Sequence, residues 1–233
     1  MARPRRIVGF GGGFGGLGPG SRLDEYLLEL TGRDRPKARY LPTPVADADP
    51  NIVNFYDRFA GCSDASHLKL SGAPEAARWR PLLMEQDVIL VSGGNTANAL
   101  AVWRTHGVDA ALREAWERGT IMCGASAGMI CWFECSVTDS FGPQLGPLRD
   151  GLGFLPGSAC PHYDSEPRRR PLYRELVAAG FPAGYAAEDA VGLHFEGATL
   201  KEAVTDIDGR KAYRVEVVAR EVRETELPVR LLA

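Results

Sequence analysis

Long hydrophobic runs are missing from this 233-residue chain. Nowhere do the roughly 18 consecutive apolar residues of a membrane-spanning helix occur. A dominant charge is missing too: 27 Lys and Arg stand against 30 Asp and Glu, a formal −3. That balance argues against a nucleic acid or an anionic membrane as partner. Cysteine is sparse, an odd five without paired C-x-x-C spacing, so neither a disulfide framework nor a zinc site is expected. The basic start Arg3-Pro4-Arg5-Arg6 leads into glycine rather than a leucine-rich segment. No export signal is read there, and a cytoplasmic protein with reduced thiols is expected. There is no low-complexity linker and no internal repeat.

What is present suffices for one compact core. The chain is 45% hydrophobic, and residues 1–233 are read as a single domain. Arg6–Phe10, Ala38–Leu41, His67–Leu70, Asp87–Val91 and Thr120–Cys123 read as buried strands. Asp87–Val91 has the continuous apolar character of a central parallel strand. Between them, helices are predicted from Ser21, over Asn51–Ala60 with Val53, Tyr56 and Phe59 on one face, and over Thr96–Thr105, Val108–Arg118 and Ala127–Phe133. The last third changes character. After a helix at Arg168–Ala179 come short runs at Gly184–Ala187, Val191–Phe195, Ala203–Asp206, Lys211–Val218 and Pro228–Leu232, with a hairpin signal at Asp208-Gly209. The expected fold is three-layer α/β/α, a mostly parallel sheet with a C-terminal antiparallel extension.

The sharpest chemical signal is Gly124-Ala125-Ser126-Ala127-Gly128. It matches G-x-S-x-G between a predicted strand and a predicted helix, the setting of a nucleophile elbow. Small neighbours let the chain reverse, and the helix start directs its positive end at the reacting oxygen. A serine hydroxyl needs a base. Of the four histidines, His162 follows Ala159-Cys160-Pro161 at a predicted strand end, where an α/β sheet places its site. His194 is the second candidate. Three carboxylates compete to orient the imidazole: Glu188, Asp189 and Asp139. Glu188 and Asp189 adjoin on an extended segment, so only one can face His162.

Ser92-Gly93-Gly94-Asn95-Thr96 follows the strand ending at Val91. Its glycines allow backbone N–H groups to approach a ligand, and one such amide with that of Ala127 would make an oxyanion hole. Gly93 and Asn95 are candidate substrate contacts in the same turn. The loop Gly11–Gly16 formally matches G-x-G-x-x-G, but the next strand ends in Leu41-Pro42-Thr43-Pro44 with no acid for a ribose hydroxyl. It is read as a pocket wall rather than a nucleotide site. No cofactor or metal is called for.

Taken together, Val91 to Thr96, Gly124 to Gly128, Pro161-His162 and Glu188 resemble the peptidase E (aspartyl dipeptidase) and cyanophycinase family of serine peptidases. The resemblance covers about Asp87 to Glu188. It departs from the family pattern at Ser92, where a glycine is usual. It implies a fold similar to class I glutamine amidotransferases. It also implies the order nucleophile Ser126, base His162, acid Glu188, with Gly94 and Ala127 as oxyanion donors and Asp139 assisting. Arg169 is the nearest match to an arginine that favours Asp at the first position of the peptide. The expected activity is thus hydrolysis of small peptides, with a monomer or homodimer acting alone. The rival readings are a cyanophycinase-like or isoaspartyl peptidase, an esterase of the α/β-hydrolase type, and a non-catalytic small-ligand or nucleotide-binding module.

Overall fold

The structure, a computed structural model, describes residues 3–12, 21–72 and 74–232. The first half of the chain runs β1 (Arg6–Phe10), α1 (Arg22–Glu29), β2 (Lys37–Leu41), a 3-10 turn (Thr43–Val45), α2 (Asp49–Phe59), β3 (Asp64–His67), α3 (Ala76–Met84), β4 (Val88–Val91), α4 (Thr96–His106), α5 (Val108–Glu117), β5 (Ile121–Ala125) and α6 (Ala127–Ile130). The second runs β6 (Phe133–Thr138), β7 (Gly146–Leu148), β8 (Leu155–Cys160), α7 (Arg169–Ala178), β9 (Gly184–Ala187), β10 (Val191–Glu196), β11 (Thr199–Thr205), β12 (Ala212–Val218), β13 (Glu221–Leu227) and β14 (Val229–Leu231).

The main sheet has the order β14-β11-β10-β1-β5-β4-β2-β3. From β1 to β3 its strands are parallel, and β10 joins β1 antiparallel. Because helices cover both faces, β4 is buried at every position, which is why it reads as an unbroken apolar run. On one face Leu23 and Leu27 of α1 and Phe55 and Phe59 of α2 pack on Val8, Phe10 and Leu90. On the other, Trp79, Trp103, Leu112 and Trp116 pack on Ile7, Ile89 and Met122. Ser21 caps α1 as its position suggests, accepting a hydrogen bond from Asp24 N at 3.2 Å. In α2 the buried face is Ile52, Phe55 and Phe59, whereas Val53 is exposed. The inward face is thus rotated from the expected one: Phe59 is shared, while Ile52 and Phe55 take the places expected of Val53 and the half-buried Tyr56.

The α/β class with its mostly parallel sheet is as expected. The antiparallel extension, however, is divided. Only β10, β11 and β14 extend the main sheet, while β13-β12-β9-β8-β6-β7 form a second sheet. α7 covers that sheet through Tyr173, Val177 and nearby Phe181, packed on Cys160, Tyr213 and Val215. The Asp208-Gly209 turn therefore does not close a hairpin. It carries the chain from β11 in one sheet to β12 in the other. The hairpin joins β12 to β13, where Val218 pairs with Glu221 around Ala219 and Arg220, both at positive φ. Among the described residues no helix is long and apolar enough to cross a membrane.

Candidate active site

The site forms at the carboxyl ends of β1, β4 and β5, the edge of a parallel sheet where α/β folds place ligands. Ser126 directly follows β5 and precedes α6. Its backbone has positive φ, 54°, with ψ −111°, outside the left-handed helical well, a strained conformation that costs an L-residue on the order of 1–3 kcal/mol. The surroundings enforce it. Ser126 N donates to Phe10 O at 3.0 Å, and Met129 N and Ile130 N return to Ser126 O. Glycine is required on both sides, since a methyl group on Gly124 or Gly128 would overlap the carbonyl oxygen of Val91. The flanking glycines of G-x-S-x-G thus let β4 press against the elbow.

His162 reaches this serine from the second sheet. It lies just beyond β8, also at positive φ, 53°. Its amide donates to Gly11 O at 3.0 Å, and Tyr163 N donates to Ala187 O at 3.2 Å. The imidazole Nε2 lies 2.8 Å from Ser126 Oγ, and Nδ1 lies 2.7 Å from Asp189 Oδ1. With Nδ1 protonated and donating to the carboxylate, Nε2 is left to accept the serine proton.

The acid on the ring is therefore Asp189 and not Glu188. The reason is the turn between β9 and β10. Glu188 N donates to Lys211 O at 3.1 Å, and Glu188 Oε2 accepts from Lys211 N at 3.0 Å. This ties Glu188 to the start of β12 in the second sheet. Adjacent side chains on an extended segment diverge, so Asp189 points back to the main sheet. Ala190 N donates to Gly12 O at 2.8 Å and pins the turn there. Asp164, which the sequence did not single out, supports this. Its Oδ1 accepts from Asp189 N at 2.9 Å, and its Oδ2 is paired with Arg210. No local motif announces that role, because the partners are far apart in the chain.

The glycine loop after β1 belongs to the site at its near end. A methyl group on Gly12 would overlap both His162 and Asp189 Oδ1. Gly13 to Gly16 lie outside the described residues. Gly94 has φ 119°, and a side chain there would overlap Pro44 O. Gly93 runs closer to the serine, with the place of its missing Cβ 3.7 Å from Ser126 Cβ. The amides of Gly93, Gly94 and Ala127 donate to no described residue. Ala127 opens α6, where such amides have no intrahelical acceptor.

Three expected contacts fall elsewhere. Arg169 is 2% exposed, donates to Glu166 Oε2 at 2.7 Å and to Val137 O at 3.0 Å, and braces the start of α7. It offers nothing to a ligand. Asn95 is occupied at both ends: Oδ1 accepts from Asn98 N at 2.8 Å as the cap of α4, and Nδ2 donates to Ser140 O at 3.0 Å. Asp139 is exposed on the loop after β6 and makes no hydrogen bond to Ser126, His162 or Asp189. The other candidate base, His194, is buried in β10, with Nδ1 2.6 Å from Tyr26 Oη. Burial holds its proton affinity below the ordinary histidine range. No cluster of three or more potential metal ligands occurs among the described residues.

A serine, an imidazole and a carboxylate in line at the carboxyl edge of a parallel sheet define a hydrolase of the nucleophilic serine class. Sequence comparison agrees and narrows the class. Peptidase family S51 matches residues 9–203. The chain is 44% identical over 231 residues to "Uncharacterized peptidase YgaJ" of Bacillus subtilis (strain 168), covering 98% of this chain and 99% of that one. The chain belongs to peptidase family S51 and is a serine peptidase. Solved structures share the fold. A peptidase from an acI-B1 Actinobacterium superposes with TM-score 0.70 at 15% identity, over 97% of this chain and 95% of that one. A Listeria monocytogenes EGD-e protein bearing the name "Putative Peptidase E Protein" superposes with TM-score 0.64 at 17% identity, over 87% and 98%.

Proposed function

We propose that this chain hydrolyses an amide bond in small peptides, dipeptides foremost, through Ser126, His162 and Asp189. The observation that carries the reading is the continuous relay from Asp189 Oδ1 to His162 Nδ1 at 2.7 Å and from His162 Nε2 to Ser126 Oγ at 2.8 Å. Ser126 Oγ attacks the carbonyl carbon while Nε2 takes its proton. The tetrahedral oxyanion is met by the amide of Ala127 and an amide of the Gly93-Gly94 turn, aided by the positive end of α6. His162 returns the proton to the leaving nitrogen. Water, deprotonated by the same imidazole, then releases the acid from the acyl-serine. Asp189 keeps Nδ1 protonated and stabilises the imidazolium between steps.

A preference for Asp at the first position of the peptide was expected to work through Arg169. That carrier falls away, because its guanidinium is spent on Glu166 and Val137. The test of the reading is a dipeptide panel with the wild type and Ser126→Ala. The wild type is expected to cleave members of the panel, and the variant to lose on the order of 10³-fold or more in kcat. A fluorophosphonate should label only the wild type. Equal turnover by both proteins would end the assignment.

A further inference from the structure

A cavity of about 160 Å³ opens beside the nucleophile and is lined by Tyr40, Asn51, Asn54, Phe55, Ser92 and Gly93, with Ala125 at the elbow end. It is not required by the relay. Tyr40 and Phe55 stack along one wall, ring centroids 4.9 Å apart and planes 8° from parallel. Ser92 is 6% exposed, and its Oγ has no hydrogen-bond partner of normal geometry, although the Tyr40 hydroxyl is its neighbour. Arg58 also reaches the cavity, but it carries its own counter-charge: Nε donates to Asp24 Oδ2 at 3.1 Å and Nη2 to Asp24 Oδ1, with Asp24 buried. A carboxylate entering this space would meet an arginine already neutralised and would pay for desolvation without a free cation. A neutral group loses nothing comparable. The volume is close to that of the roughly 150 Å³ apolar cavities that admit benzene.

Position decides which part of a peptide this cavity meets. In the sheet β5 lies between β1 and β4. His162 stands over Gly12, after β1, whereas Gly93 and the cavity follow β4. The leaving nitrogen must lie on the imidazole side to receive its proton. The acyl residue then extends to the Gly93 side.

We infer that this cavity is the subsite for the side chain of the residue whose carbonyl Ser126 attacks, and that it takes uncharged side chains up to the size of a phenyl ring in preference to carboxylates. The assignment rests on the peptidase reading above. Its test is kcat/KM for X-Leu dipeptides with X as Phe, Tyr, Leu, Ala, Asp, Glu and Lys. Phe, Tyr or Leu is expected to exceed Asp and Glu at least tenfold. Asn54→Trp, on the exposed side of α2 at the rim, is expected to lower the Phe-Leu to Ala-Leu ratio of kcat/KM at least tenfold. Asp-Leu or Glu-Leu as best substrate, or an unchanged ratio in the variant, overturns the subsite and leaves the peptidase reading standing. Fluorophosphonate labelling of Ser126 without hydrolysis of any member overturns the subsite alone. Neither labelling nor hydrolysis overturns both.

Discussion

Ser126 and His162 share a positive φ, 54° and 53°, yet they are held by different means. The elbow is clamped within its own sheet. Val91 O packs against Gly124 and Gly128, and Ser126 N is tied to the neighbouring strand. The imidazole arm has no such frame. It hangs at the junction of two sheets, where Gly11, Asp164, the Ala187–Asp189 turn and Arg210 come from four places in the chain. A compact turn can hold a nucleophile through local sterics. A base and its acid, in contrast, need long-range contacts, and their strain is carried by the whole junction.

The contrast is broken most severely at the acid. Asp189→Asn is expected to lower kcat by about 10³- to 10⁴-fold, because the amide favours the wrong imidazole tautomer. Glu188→Gln should stay within a few-fold, since Glu188 faces Lys211. Steady-state kinetics on one cleaved dipeptide compares the two, and the reverse ranking would move the acid to Glu188. Gly12→Ala comes next. Its methyl group would displace His162 and Asp189 while sparing the elbow, so a fall of roughly 10²-fold in kcat/KM is expected with fluorophosphonate still reaching Ser126 at a reduced rate.

Arg169→Met tests whether α7 is structural support or part of the pocket. Loss of the buried hydrogen bond to Val137 O should cost about 1–3 kcal/mol in urea unfolding. The order of preferred dipeptides should not change; a reordered panel would return Arg169 to the substrate. The smallest effect concerns the unused imidazole. Burial keeps His194 less protonated in the fold than in the unfolded chain. Lowering the pH below about 6.5 therefore binds more protons to the unfolded state and lowers stability, by at most ~1.4 kcal/mol per pH unit for one group. Above that pH the contribution is fully present. His194→Gln should flatten the fall in urea midpoint between pH 7 and pH 5.5, and an unchanged slope would refute the claim.

Much of the site is legible in the sequence. Apolar runs ending in glycine placed Gly11, Gly93 and Ser126 at strand ends, because a parallel sheet covered on both faces forces that pattern. The elbow motif is local, so it can be read locally. The substrate role that the resemblance implies for Arg169 gives way to Glu166 and Val137 O, because in sequence a cation at a helix start looks the same whether it faces a ligand or a buried carbonyl. Asn95, expected to meet substrate, instead spends Oδ1 on capping α4 and Nδ2 on Ser140 O, a partner 45 residues away in the chain.

The residues alone determined the α/β class and the small residues the elbow demands. Those features follow from periodicity and from sterics within a few residues. Tertiary structure alone decided which of Glu188 and Asp189 meets His162, split the antiparallel extension over two sheets, and neutralised Arg58 beside the cavity next to the elbow. Each of these depends on which distant strand a side chain meets, and that is set by packing rather than by neighbours in the chain.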